Sequence, residues 1–324
     1  MNGRPLKIID GSANTPLSKK VFKLLKNDFN QNTDYVECVS NFSDGETQIF
    51  IDDNMRGCDV FVIQPTSPPS NEHLMQLYLI LDALKRSDCW RITAVIPYYG
   101  YGRQDKKLKP RVPISARAVA NLIELGGINR VLTIDLHSNQ IQGYFDCPVD
   151  HLFASMIFKN HIKDFINIDN NSIIVSPDEG GIARAIYYSK NLGTNIAMIH
   201  KSRSKPNEID EMVLLGSVCD KNAIIIDDMV DTAGTLCKAS KLLKKAGAKK
   251  VFGYATHGVL SGPAYENIEN SDFDNIFISD TIKQNDSKLI LTNKIKIISC
   301  SNLLANAISN IHNESSVSNL FDGY

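Results

Sequence analysis

The chain has 324 residues, 35 Lys or Arg against 36 Asp or Glu, and seven cysteines. Such a length predicts two units of similar size, each able to bury its own core without cross-links. The balanced charge argues against a global attraction to nucleic acid or to an anionic membrane, and an odd cysteine count without a Cys-x-x-Cys pair argues against a disulfide framework or a structural zinc site. Residues 1–14 contain no seven-residue apolar core, and nothing later approaches the length that spans a bilayer, so a soluble cytoplasmic protein is expected.

Short β-rich runs alternate with helical patterns along the chain. The runs are Leu6 to Ile9, Asp59 to Gln64, Arg91 to Ile96, Arg130 to Ile134, Ser172 to Val175, Asn195 to His200, Ala223 to Ile226 and Lys250 to Tyr254. This alternation predicts an α/β protein with mainly parallel sheets flanked by helices. Asp59-Val60-Phe61-Val62-Ile63 aligns with Asn222-Ala223-Ile224-Ile225-Ile226, and each is followed by a loop, a helix and another strand, so the halves look duplicated. A turn near Asp146 to Asp150 divides them, which predicts one domain over 1–149, joined by the tail 312–324, and a second over 150–311.

Polar residues cluster where these runs end, the position at which open α/β sheets bind ligands. Asn41-Phe42-Ser43-Asp44-Gly45-Glu46 reads as an ordinary turn, with Phe42 fitting a core position. Tyr98 to Pro113 holds Arg103, Lys106, Lys107, Lys109 and Arg111 against one acid, Asp105, and its glycines and prolines forbid a regular element. Such a loop suits closure over a polyphosphate and equally suits plain solvation. Asp135-Leu136-His137 leads to Gln140-Ile141-Gln142-Gly143. Ser176-Pro177-Asp178-Glu179-Gly180-Gly181 is a strand-to-helix turn in which Asp178 either holds a magnesium-bound water or caps the helix. His200-Lys201-Ser202-Arg203 closes a further strand.

Asp227-Asp228-Met229-Val230-Asp231-Thr232-Ala233-Gly234-Thr235 is the most informative string. Its small and hydroxyl residues let several backbone N–H groups converge at a helix N-terminus, a setting for a phosphate dianion, while two adjacent carboxylates suit vicinal hydroxyls. An acid-rich N-cap is the plainer alternative. The counterpart in the first half, Gln64-Pro65-Thr66-Ser67-Pro68-Pro69-Ser70, has no acids, so one copy of the pocket is expected to be lost. There is no Gly-x-x-x-x-Gly-Lys-[Ser/Thr] loop, and Gly100-x-Gly102 lacks the third glycine of a dinucleotide fingerprint.

The string resembles the signature loop of phosphoribosyltransferases and phosphoribosyl pyrophosphate synthetases, and five separated motifs between Asn41 and Phe321 fall in the order of the synthetase family, phosphate-activated class. The resemblance implies two tandem phosphoribosyltransferase-like domains that transfer pyrophosphate from Mg-ATP to ribose 5-phosphate. It assigns ribose 5-phosphate to Asp227, Asp228, Asp231, Thr232, Ala233, Gly234, Thr235 and Gln142. ATP falls to Phe42, Asp44, Glu46, Arg103, Gln104 and His137, the Mg²⁺ ion to His137 and Asp178, and catalytic charge to Lys201, Arg203 and Arg103. Arg56, Arg111, Ser316 and Ser318 match a site for activating phosphate or inhibitory ADP, although Asn54 stands where a serine is usual. Phe42 and its neighbours reach a second subunit in the family, which implies a homo-oligomer, a hexamer. There are two alternatives: a phosphoribosyltransferase, which shares the sugar loop, and a non-catalytic subunit associated with true synthetases, which should have lost catalytic residues that this chain keeps.

Overall fold

In the computed structural model, described for residues 3–166, 171–202, 211–321 and 323, the chain divides into two units. The first runs up to Phe153 and adds Thr281–Lys283 and Ser299–Phe321. The second comprises Ala154–Asp280 and Gln284–Ile298.

In chain order the first unit contains β1 (Leu6–Asp10), α1 (Thr15–Asn27), β2 (Thr33–Glu37), β3 (Val39–Asn41), β4 (Thr47–Ile49), β5 (Asp59–Ile63), α2 (Ser70–Arg86), β6 (Arg91–Ile96), α3 (Ser115–Leu125), β7 (Arg130–Ile134) and β8 (Val149–Leu152). The sheet has the order β2-β1-β5-β6-β7-β8, with every pair parallel. Every residue of β1 and β5 is buried, as expected of central parallel strands covered on both faces. Asn14 begins α1 by accepting the Leu17 N–H, and Pro16 sits where a missing N–H is harmless.

The second unit contains α4 (Ser155–Ile166), β9 (Ser172–Ser176), α5 (Ile182–Leu192), β10 (Asn195–Ser202), β11 (Glu211–Leu215), β12 (Asn222–Val230), α6 (Gly234–Lys245), β13 (Lys250–Gly258), α7 (Ala264–Glu269), β14 (Asn275–Ser279), α8 (Asp286–Leu289) and β15 (Ile295–Ile298). The order is β11-β10-β9-β12-β13-β14-β15, parallel except for the β10–β11 hairpin. Both sheets therefore place their first strand between the second and the next crossover strand, the same topology twice. No helix among the described residues is long and apolar enough to cross a membrane.

The structure redraws several expected boundaries. The division expected near Asp146 to Asp150 runs into β8, whose Val149 and Asp150 pair with Val131 and Leu132 of β7. The last helix, α9 (Ser301–His312), groups with the first unit although the sequence reading kept 150–311 together. Leu303, Leu304, Ala307, Ile308 and Ile311 are buried on it, Gln31 donates to Ser309 Oγ at 3.2 Å, and Arg91 donates to the Ile311 carbonyl at 2.9 Å. Such contacts lie far apart in sequence, where periodicity carries no information. Asn41–Glu46 proves to be the tip of the β3–β4 hairpin, with Phe42 half-exposed and not in the core.

Candidate active site

The chain leaves β9 toward β10 on one side and later returns to β12 on the other. At such a reversal the connections diverge and leave a crevice outside the carboxyl ends of the two strands. Asp178 lies in the turn after β9, Lys201 near the end of β10, and Asp227 and Asp228 on the carboxyl-terminal part of β12. The strand extends to Val230, four residues beyond the expected end, because Asp227, Met229 and Val230 keep their pairing with β13. The two adjacent acids are thus mounted on a strand.

Arg184, on the first turns of α5, is buried and stands 3.4 Å from Asp227 Oδ1 and 3.6 Å from Asp228 Oδ1. Burial pushes the Asp227 carboxyl well above the usual carboxylate range, the neighbouring Asp228 charge pushes it further, and the Arg184 guanidinium pulls against both. Asp178 accepts the Gly181 N–H at 3.0 Å through Oδ1, and its Oδ2 lies 3.9 Å from Lys201 Nζ. Glu179, the extra acid of this turn, is engaged by His200 at 2.6 Å. The structure thus gathers Asp178, Lys201, Arg184, Asp227 and Asp228 at the crevice of one sheet. Arg203 lies outside the described residues.

Between β12 and α6 the loop Asp231–Thr235 turns through Ala233, whose φ of 62° is left-handed. Ala233 is the N-cap of α6 and makes no side-chain cap bond, so the acids of this string are not spent on capping. The N–H groups of the first turn have no intrahelical acceptor and present a partial positive charge. Asp231 instead accepts the Ser261 hydroxyl, and Asn267 donates to the Thr232 carbonyl at 2.9 Å. Neither Ser261 nor Asn267 belongs to a motif that sequence reading singled out. Ser261-Gly262-Pro263 does follow the carboxyl end of β13, a position that could have marked it.

In the first sheet the equivalent crevice, between β1 and β5, is filled. Gln64, aligned with Asp227, is fully buried. Its Oε1 accepts the Ala13 N–H at 3.0 Å, and its Nε2 donates to His73 O at 3.2 Å and Gln76 Oε1 at 3.1 Å. A buried carboxamide thus stands at the position that Asp227 holds in the second sheet.

The basic segment Tyr98 to Pro113 is rooted in this unit. Gly100 donates to Thr66 Oγ1 at 2.7 Å, and the Gln104 carbonyl accepts the Ala116 N–H at 3.2 Å. Lys106, Lys107, Lys109 and Arg111 are all exposed, and no helix or strand forms between Pro97 and Ile114. A Cβ placed on Gly102 would lie 3.7 Å from His137 Cβ, so Arg103 and Gln104 follow directly on a residue packed beside His137. Gln142 lies in the 3-10 turn Asn139–Tyr144 of the same unit. At the β3–β4 tip, Asp44 Oδ1 accepts the Glu46 N–H at 3.0 Å, and Phe42 N donates to Glu46 O at 2.8 Å. Arg56 and Arg111 are exposed, the former 3.6 Å from Asp88, and Ser316 Oγ donates to Ser318 Oγ at 2.9 Å.

For a hard divalent cation, the oxygens of Asp178, Asp227 and Asp228 have the right chemistry, but among the described residues no three acidic, His or Cys side chains converge as a cage. That donor set fits Mg²⁺, which keeps waters and substrate phosphate oxygens in its shell.

Comparison with known proteins adds independent findings. Residues 6–127 match the family described as the N-terminal domain of ribose phosphate pyrophosphokinase, and residues 203–322 match the phosphoribosyl synthetase-associated domain. Ribose-phosphate pyrophosphokinase of Helicobacter hepaticus is 46% identical over 318 residues, covering 98% of this chain and 99% of that protein. The Thermotoga maritima protein of that name is 45% identical, with 98% of each chain covered. The crystal structure of phosphoribosylpyrophosphate synthetase from Mycobacterium smegmatis superposes with a TM-score of 0.89 at 37% identity, over 96% of this chain and 100% of that one.

Proposed function

The chain belongs to the ribose-phosphate pyrophosphokinase family, and from that membership we infer that it transfers the pyrophosphoryl group of ATP to the C1 hydroxyl of ribose 5-phosphate, giving 5-phosphoribosyl 1-pyrophosphate and AMP for nucleotide biosynthesis. The observation that carries the residue-level reading is the set of charges at the β9–β12 crevice beside an uncapped helix N-terminus.

In this proposal the first-turn N–H groups of α6, with Thr232 and Thr235, receive the 5-phosphate. Asp227 and Asp228 accept hydrogen bonds from the sugar hydroxyls, and Arg184 keeps their charges together. Lys201, with Arg203, neutralises charge on the β-phosphate as the C1 oxygen attacks. Preorganised positive charge of this kind is what phosphoryl-group transfer asks of a protein, since little covalent work falls to side chains. The nucleotide is assigned to Arg103, Gln104 and His137, with Phe42, Asp44 and Glu46 offered by the hairpin. Gln142 is assigned to the sugar.

Mg²⁺ belongs to the same proposal: Asp178 would hold the ion, His137 is assigned to it as well, and when bound it would draw charge from the phosphates of ATP. The half-exposed Phe42 supports a homo-oligomer in which the hairpin serves a neighbouring subunit, a hexamer by analogy with the family. Activation by phosphate and inhibition by ADP, through Arg56, Arg111, Ser316 and Ser318, and a cytoplasmic location complete the reading.

One assay tests it. The protein is incubated with ATP, Mg²⁺ and ribose 5-phosphate, and AMP is followed together with the activated sugar. AMP formed in step with ribose 5-phosphate consumption is expected. No AMP, with pyrophosphate released from the activated sugar and a base, would make it a transferase. No turnover in either direction would make it a non-catalytic subunit.

A further inference from the structure

We propose that Ser261 and Asn267 are positioning residues that hold the sugar-phosphate loop in its binding shape; this rests on the reading of residues 231–235 as that loop. The loop does not hold itself. Ala233 occupies a left-handed conformation that costs a β-carbon-bearing residue on the order of 1 kcal/mol, and no side chain caps the helix it opens. Something outside the loop must over-determine it.

The segment after β13 does so. Val259 and Leu260 both donate to the Val230 carbonyl, at 2.9 and 3.1 Å, and so grip the strand where it leads into the loop. Cys237 Sγ, one turn into α6, lies 3.4 Å from the Asn267 carbonyl, which ties the far side. Leu260, Ala264 and Ile268 share one buried cluster with Val230, Ala233 and Leu236, so this segment is fixed by packing. From that frame the Ser261 hydroxyl donates to Asp231, and Asn267 Nδ2 donates to the Thr232 carbonyl.

Each bond has a consequence for an anion. An Asp side chain readily bonds the backbone N–H two residues on, which here is Ala233, at the mouth of the phosphate site. By bonding Asp231 Oδ1, Ser261 sets the orientation of that carboxylate and works against its closing the turn on a donor the phosphate requires. The Asn267 bond fixes the peptide plane that links Thr232 to Ala233, and with it the direction of the Ala233 N–H, since the peptide unit is planar.

The test compares Ser261→Ala, Ser261→Thr and Asn267→Asp with the unaltered enzyme. Asn267→Asp keeps the shape and removes the donor. Ser261→Ala and Asn267→Asp are each expected to raise the KM for ribose 5-phosphate roughly tenfold, the usual size for a lost hydrogen bond to a charged or fixed partner. The KM for ATP should stay within about twofold and the Tm within a few degrees, and Ser261→Thr should restore the sugar KM. In an Asp231→Ala background, Ser261→Ala should have no further effect. An unchanged sugar KM in both variants, or equal rises for both substrates with a matching fall in Tm, overturns the proposal. Thr235→Val, a change within the loop itself, then separates the two failures. If it raises the sugar KM, the loop reading stands without the brace; if it does not, both fall.

Discussion

Arg184 stands 3.4 Å from Asp227, a partly buried carboxyl whose proton affinity is raised by desolvation and by the adjacent Asp228. A carboxyl with a raised folded-state pKa favours folding fully below the unfolded pKa, and that contribution is lost as pH rises through the folded value. The folded protein therefore carries a penalty at neutral and alkaline pH. Asp227→Asn is expected to remove it, so the Tm of the variant should exceed that of the native chain by a margin that grows as pH rises above the ordinary carboxylate range. Each 1 kcal/mol recovered should add about 2–4 °C for a domain of this size. Ribose 5-phosphate binding should be lost. Melting curves from pH 4 to 9 check the trend, and a margin that shrinks with rising pH would contradict it.

Lys201→Ala should leave ribose 5-phosphate binding, measured by calorimetry, largely intact while lowering kcat by about 10²–10³, the cost of removing one preorganised charge from a transition state. Its contact with Asp178 is 3.9 Å and partly exposed, so little stability should go with it. Unchanged turnover would remove Lys201 from the mechanism.

Replacing Lys106, Lys107 and Lys109 with Gln should raise the KM for ATP and flatten its dependence on ionic strength, because exposed charges act through screened attraction. All three side chains are in solvent, so the Tm should not move. If the salt dependence of the ATP KM is the same in the variant, the segment is only a solvated surface.

Gly11→Ala should destabilise the first unit by about 1–3 kcal/mol through overpacking. A Cβ there would meet Gln64 Oε1 at 2.4 Å, and Gln64 is locked by its three hydrogen bonds. In urea titrations the double variant Gly11→Ala, Gln64→Ala should lose less than the sum of the single changes. Strict additivity would show that Gln64 is not what fills the crevice.

Arg91→Met should cost about 3–5 kcal/mol, since it strips a guanidinium from a fully buried carboxylate. Arg91 donates to Asp59 at 2.8 and 2.5 Å, and His312 Nδ1 lies 2.8 Å from the same carboxylate. The loss should appear in chemical denaturation, with early release of α9 in hydrogen exchange. A cost below 1 kcal/mol would mean that this network does not anchor the last helix.

The order of strands and helices, the parallel sheets, the nine residues from Asp227 to Thr235 and the basic segment were all legible in the chain, because each is written locally. Buried parallel strands read as apolar runs, helices as a 3.6-residue period, and the loop before α6 as small residues at a strand-to-helix junction. The alignment of Gln64 with Asp227 was likewise legible before any coordinates. What the linear code left open was partnership. That Arg184 serves both acids, that Glu179 goes to His200, that Gln64 fills its crevice, and that Ser261 and Asn267 reach the loop from beyond the next strand depends on distances between segments tens of residues apart. Those distances exist only once the sheets have formed, since burial and register, not sequence neighbourhood, decide which polar atoms must find each other.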